Sequence, residues 1–307
     1  MAKKPQQTLL AEQIQQALKH IEAISTTLTK PAAKRTYELL AAIKVDVDRA
    51  TAALDPVKEP LSWFDPSDPN TAGRLVAAAL LAQPRVPLAY VPRSYGSGVY
   101  AIYYNGSHSL YAPISKSETP IYVGKADPNG TMAKTPRQQG VRLYGRLADH
   151  RKMIRAAETH GISLGRSELL RLEDFDCRRL VTATNAQLFA ERHLITIFRP
   201  IWNKETNICW GISKHGDTEG RSNSRSPWDV LHPGRAWAMA TKLEDSRPAS
   251  QIKADVAQHL KAYPAYKDRR FIIDLFLNEF IQDPMIAAKP VTDDVETEAE
   301  AEEAPEN

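Results

Sequence analysis

Six kinds of side chain along this chain could together do acid–base and phosphate chemistry. Tyr100 and Tyr122 close two short β-branched segments, Gly98-Val-Tyr-Ala-Ile-Tyr-Tyr104 and Pro120-Ile-Tyr-Val-Gly124. Lys125 follows the second of them. Arg146 and His150 stand four residues apart, a spacing that puts both on one helix face. Glu191 and Asn203 come later. A phenol has a reference pKa of about 10 and needs strong help to act as a base, whereas an imidazole titrates near neutrality and accepts a proton more readily. A guanidinium pairs with a phosphate through its planar fork. A single carboxylate can hold one Mg²⁺ that keeps most of its waters and touches a phosphate oxygen. Phosphodiester hydrolysis needs these parts: an activated water, neutralised charge on phosphorus and a stabilised leaving oxygen. Taken singly, each residue also has an ordinary structural use. The tyrosines suit a half-buried strand, Arg146 with His150 a solvated helix face, Glu191 an ion pair with Arg192 or His193, and Asn203 a cap.

The elements that must position them can be read from periodicity. From residue 96 the order is strand (98–104), strand (120–124), helix (140–159), strand (175–181) and helix (185–198). In the first helix Val141, Tyr144, Leu147 and Ile154 are expected to face inward; in the second, Leu188, Leu194, Ile195 and Phe198, with Pro200 closing it. That order predicts an α+β fold with a small sheet of about three strands flanked by helices, not a doubly wound parallel sheet. Upstream, Leu10, Ile14, Leu18, Ile21, Ile24 and Leu28 recur at steps of three and four, and Tyr37, Leu40, Ile43, Val47 and Ala50 do so again. Two helices result, with Lys30-Pro31 ending the first and the second beginning near Ala33. The hairpin is expected to pack on the body or on a second subunit. Residues 56–92 carry seven of the 21 prolines around a helix from Ala72 to Gln83, capped by Asn70 or Thr71. The predicted organisation is a helical hairpin (1–59), a proline-rich connector (60–95), a core (96–204), an irregular segment with C-terminal helices (205–289) and a disordered acidic tail (290–307).

Composition removes several classes. The chain has 307 residues, with 40 Lys+Arg against 37 Asp+Glu. Residues 291–307 hold eight of the acidic groups and no basic one; without them 40 basic residues face 29 acidic ones, 37 less 8, and the body carries +11. Around the candidate residues, from Arg137 to Arg199, twelve basic residues meet seven acidic ones. Such an excess suits a polyanion, whose binding falls steeply with salt. No apolar run approaches a membrane span, and the N-terminus has no apolar core of a signal peptide. The 2 cysteines, Cys177 and Cys209, cannot make a disulfide framework or a four-thiolate zinc site. A reduced, cytoplasmic protein is expected.

What singles out the candidate residues is their joint order. Gly98-Val-Tyr100 and Tyr122-Val-Gly124, followed by Arg146, Glu191 and Asn203, resemble the signature of the GIY-YIG nucleases, with valine for isoleucine in both tripeptides. His150 after Arg146, the run Tyr122-Val-Gly-Lys-Ala126, the run from Glu191 to Asn203 (ERHLITIFRPIWN) and Pro227 to Trp237 (PWDVLHPGRAW) look like the type II restriction endonucleases of that superfamily. The resemblance spans about residues 70–245. It implies Tyr100, Tyr122, Lys125, Arg146, His150, Glu191 and Asn203 as the catalytic set, Glu191 as the Mg²⁺ ligand, Tyr100 at the nucleophilic water and His150 assisting; the residue types leave the base role open between those two. It also implies site-specific cleavage of double-stranded DNA, a homodimer on a palindrome, and a companion DNA methyltransferase. Lys214, His215, Arg221, Asn223, Arg225 and Arg235, in the irregular segment, are the candidates for DNA contact. A repair or homing nuclease, or a DNA-binding protein on a dead scaffold, are the alternatives. The acidic tail could compete with DNA for the basic face.

Overall fold

A computed structural model describes residues 6–25, 27–54, 57, 64–183, 185–213, 224–239 and 243–280. The chain divides into two compact units, Met1–Leu61 and Ser62–Asn307. The tail at 290–307 lies outside the described residues.

The first unit holds α1 (Gln6–Ser25) and α2 (Lys30–Leu54). Pro31 does not close α1. It sits at the start of α2, where its missing N–H would have no helical partner and its fixed φ is already helical. The apolar stripe is real but exposed, with Leu10, Ile14 and Leu18 all about half accessible and no buried residue in α2.

The second unit begins with α3 (Pro69–Ala82). Its cap is Asp68, not Asn70 or Thr71: Pro69 can enter a helix only in the first turn, and the Asp68 carboxylate accepts the Thr71 N–H at 2.7 Å. There follow β1 (Val86–Pro87), β2 (Gly98–Tyr104), β3 (Tyr122–Ala126), α4 (Pro136–Gln139), α5 (Arg142–Ser163), β4 (Phe175–Val181) and α6 (Gln187–Phe198). The sheet is antiparallel in the order β1-β4-β2-β3, one short strand more than the three expected. Strand β1 escapes sequence reading because it is two residues long and half proline, tolerable only at an edge.

All seven residues of central β2 are buried, and they alternate between two cores. Tyr100, Ile102 and Tyr104 pack with Leu143, Leu147 and Ile154 of α5 and with Trp202. Val99, Ala101 and Tyr103 pack on the other side with α3, with Ala190, Leu194 and Phe198 of α6, and with α9 (Arg269–Leu277), which follows β5 (Ser224–Arg225), α7 (Pro227–Leu231), β6 (Glu244–Asp245) and α8 (Ala249–Ala262). The sheet is thus sandwiched by helices, and an unbroken apolar strand is what a sheet covered on both faces requires. The helix frames differ from expectation in detail. Leu143 is buried in α5 beside a partly buried Tyr144 while Val141 is only its cap, and Leu188 of α6 is exposed, its place taken by Ala190. α8 and α9 are separate helices, since Asp268 caps a new start by accepting the Arg270 and Phe271 N–H groups.

Candidate active site

The two tripeptides meet across one ladder, where Tyr100 pairs with Gly124 and Ile102 with Tyr122. Both glycines are required by what lies against them. Gly98 has φ +153°, and a Cβ there would fall 2.0 Å from the Leu180 carbonyl oxygen. At Gly124 a Cβ would fall 2.5 Å from the Tyr100 phenol oxygen. The missing side chain of Gly124 is therefore the space that the Tyr100 hydroxyl occupies.

Strand alternation sends Tyr100 and Tyr122 to the face that carries α5, and the four-residue step along that helix brings Arg146 and His150 to them. The Tyr100 hydroxyl and His150 Nε2 are 2.8 Å apart. The Tyr122 ring lies 4.6 Å from the His150 ring and 6.1 Å from that of Tyr100. Burial lifts Tyr100 well above the usual phenol range, and the neighbouring Tyr122 adds to this against the opposing pull of Arg146. Arg146 also hydrogen-bonds the Tyr100 phenol. A neutral Tyr100 can therefore accept from Arg146 and donate its own proton to His150. Tyr122 is raised too, chiefly by burial, while a bond to Ser213 and the charge of Arg146 pull it down. Its hydroxyl is 2.7 Å from that of Ser213. Tyr100 and His150 are closed off at 0% and 2% exposure, whereas Tyr122 reaches the surface at 7%.

Glu191 projects from α6 on the other side of β3. Burial raises its carboxyl to about 7; the Lys125 charge and main-chain N–H oppose this, and Glu205 and Asp127 reinforce it. The Glu191 charge also adds to the raised pKa of Tyr122, so the two groups are within electrostatic reach of one another. Lys125 is tied to Asp127 by an ion pair. Among the described residues no three His, Cys, Asp or Glu side chains form a ready-made metal cage. The donor set, one half-buried carboxylate raised by its burial and by its acidic neighbours, fits a cation that keeps most of its water shell.

Asn203 bonds the main chain of β3. Its Oδ1 accepts the Val123 N–H at 2.9 Å and its Nδ2 donates to the Val123 carbonyl at 2.9 Å. Strand β3 is an edge strand, and this buried amide completes its free side between Tyr122 and Gly124. Asn203 is a positioning residue.

The DNA-contact candidates divide. Lys214, His215, Arg221 and Asn223 lie outside the described residues. Arg225 bonds Asp245 across the short β5–β6 pair. Arg235 is corrected: it is 3% exposed and makes a two-pronged ion pair with Asp229, Nε and Nη2 each 2.6 Å from a carboxylate oxygen. Its fork also donates to the Gly211 and Ile212 carbonyls. It is a buried strut, beyond the reach of a groove. Ser213, Asp127 and Glu205 join the site without any signal in their sequence neighbourhood, because only the fold brings them there.

A family model described as the Eco29kI GIY-YIG domain matches residues 93–260, more than half of the chain. No curated protein matches it. The chain belongs to this restriction endonuclease family.

Proposed function

We propose that this member of the Eco29kI GIY-YIG family is a type II restriction endonuclease that hydrolyses double-stranded DNA at a specific palindromic site with Mg²⁺, as a cytoplasmic homodimer whose host carries a companion DNA methyltransferase. Nuclease function and a DNA substrate come with the family; the rest is the reading that the geometry supports best. The observation that carries it is the Tyr100–His150 pair at 2.8 Å beneath Tyr122, flanked by Arg146 and Glu191.

In this reading the scissile phosphate meets Tyr122, Arg146 and Glu191. The Arg146 guanidinium, half-buried and fixed on Tyr100, neutralises charge that develops on the phosphate oxygens. A proton released by the attacking water passes toward His150 through Tyr100: Tyr100 receives one proton on its oxygen as its own passes to Nε2. On the opposite side the Lys125 charge lowers Glu191 against the effect of its burial. Glu191 would hold the Mg²⁺, which when bound would supply positive charge to a phosphate oxygen and help activate water. One such centre cuts one strand, so cutting both strands of a palindrome needs two copies related by a two-fold axis.

The test is digestion of phage and plasmid DNA by the purified protein with Mg²⁺, followed by sequencing of the fragment ends. Discrete fragments sharing one palindrome are expected. A smear, or cleavage confined to branched substrates, rules out the restriction reading. In the same assay Tyr100→Phe and His150→Ala should each lower cleavage by about 10²–10⁴.

A further inference from the structure

Arg146 stands near the start of α5, and by the helical rise Ser163 at its other end lies roughly 25 Å away. Just beyond that end a pocket of about 310 Å³ opens between the α5–β4 loop, the turn before β3, the end of α7 and the start of α8. Its walls carry Arg166, Lys253, His108 and His232 against one carboxylate, Glu168, and the first residue of α8, Ala249. The hydrogen bonds around it leave donors on the pocket side. Glu168 is engaged by the Ser109 N–H at 3.2 Å. Nδ1 of His108 accepts the Leu110 N–H at 3.3 Å, which leaves the ring proton of a neutral His108 on Nε2.

His232 lies deeper, at the end of a buried hydrogen-bonded chain. Trp202 Nε1, which can only donate, bonds the Tyr111 hydroxyl at 3.2 Å. Burial holds Tyr111 well above the usual phenol range, so it keeps its proton, and its hydroxyl bonds His232 Nε2, 2.5 Å away. The His232 ring is 5% exposed. Burial, and after it the charges of His108, Arg166 and Lys253, push His232 well below the usual imidazole range. Two cations, Arg166 and Lys253, thus converge with two imidazoles on one space. Helix α8 adds its N-terminal dipole, and no side chain caps it there.

We propose that this pocket binds a phosphate group, either a backbone phosphodiester of the same DNA several base pairs from the cut or free phosphate. Arg166 and Lys253 supply the charge, and His108 and the α8 N-terminus supply directed donors. The DNA source rests on the nuclease reading; the phosphate site itself does not.

The full chain, free of metal, is titrated with inorganic phosphate by calorimetry, alongside Lys253→Glu and Arg166→Gln. Both positions are exposed, and matching melting temperatures verify the fold of the variants. Wild type should bind, and each variant should lose at least tenfold in affinity. DNA binding is then measured against salt. A slope reduced by about one ion in the variants assigns the pocket to a backbone phosphate. Lost phosphate binding with an unchanged slope assigns it to free phosphate. The proposal is overturned if wild type and variants bind phosphate alike, or if wild type binds none and the salt slopes coincide. A protein that binds phosphate here and cuts no DNA removes the nuclease reading and leaves the pocket standing.

Discussion

Replacing Asn203 separates a positioning role from a chemical one. Its amide makes two bonds of 2.9 Å to the main chain of Val123, a residue with no exposed surface on the edge strand that carries Tyr122 and Gly124. Asn203→Ala leaves a buried N–H and a buried C=O without partners, each costing about 1–3 kcal/mol, so a total of about 2–6 kcal/mol is expected, toward the lower end if water fills the space. Asn203→Asp gives a sharper result. Its carboxylate still accepts the Val123 N–H but faces the Val123 carbonyl, while the protonated acid can donate there and restores both bonds. The folded-state pKa of the introduced acid is therefore raised, so its stability relative to wild type is highest below the unfolded value of about 3.9 and falls as pH rises through the folded one. A tenfold difference in proton affinity between the folded and unfolded chains is worth about 1.4 kcal/mol. Urea denaturation of wild type and both variants at pH 5 and pH 8 reads this out. Asn203→Asp should come closer to wild type at pH 5 than at pH 8. Both variants losing cleavage while keeping wild-type stability at both pH values would refute the reasoning and return Asn203 to the chemistry.

Three further outcomes follow from the same geometry. Gly124→Ala drives a Cβ against the Tyr100 hydroxyl at 2.5 Å and Tyr122 Cε1 at 2.9 Å; overpacking should cost about 1–3 kcal/mol, and denaturation with parallel cleavage assays should show activity falling as Tyr100 is displaced from His150. Arg235→Ala strands a buried Asp229 and should cost about 3–5 kcal/mol, while the salt slope of DNA binding measured on the folded protein stays at the wild-type value. Glu191, raised to about 7, penalises the folded state once ionised; in EDTA this penalty grows as pH rises from about 4.5 to 7 and reaches about 3 kcal/mol as an order of magnitude. Glu191→Gln should therefore raise the melting temperature at pH 8 and leave it unchanged near pH 4.

The framework of the site was legible because its elements obey local rules. The unbroken apolar run from Gly98 to Tyr104 marks a strand covered on both faces, Phe175–Val181 is the strand expected, and the i, i+4 step fixes Arg146 beside His150. What local pattern cannot carry is the identity of distant partners. Asn203 reads as a cap until Val123, eighty residues away, is seen to take both ends of its amide. Arg235 reads as one more surface cation in a polar loop, since nothing at that position shows that Asp229 and two carbonyls close around it. Strand β1 fails for a different reason, because its pairing with Cys177 and Asp176, not its composition, makes it a strand.

The most direct measurement is cleavage of plasmid DNA by Glu191→Ala with Mg²⁺, compared with wild type at equal DNA-binding saturation. The variant should bind DNA and leave it uncut, with a rate reduced by about a thousandfold or more, in line with losing the main electrostatic contribution to the transition state. Cleavage at the wild-type rate would contradict the assignment of the site.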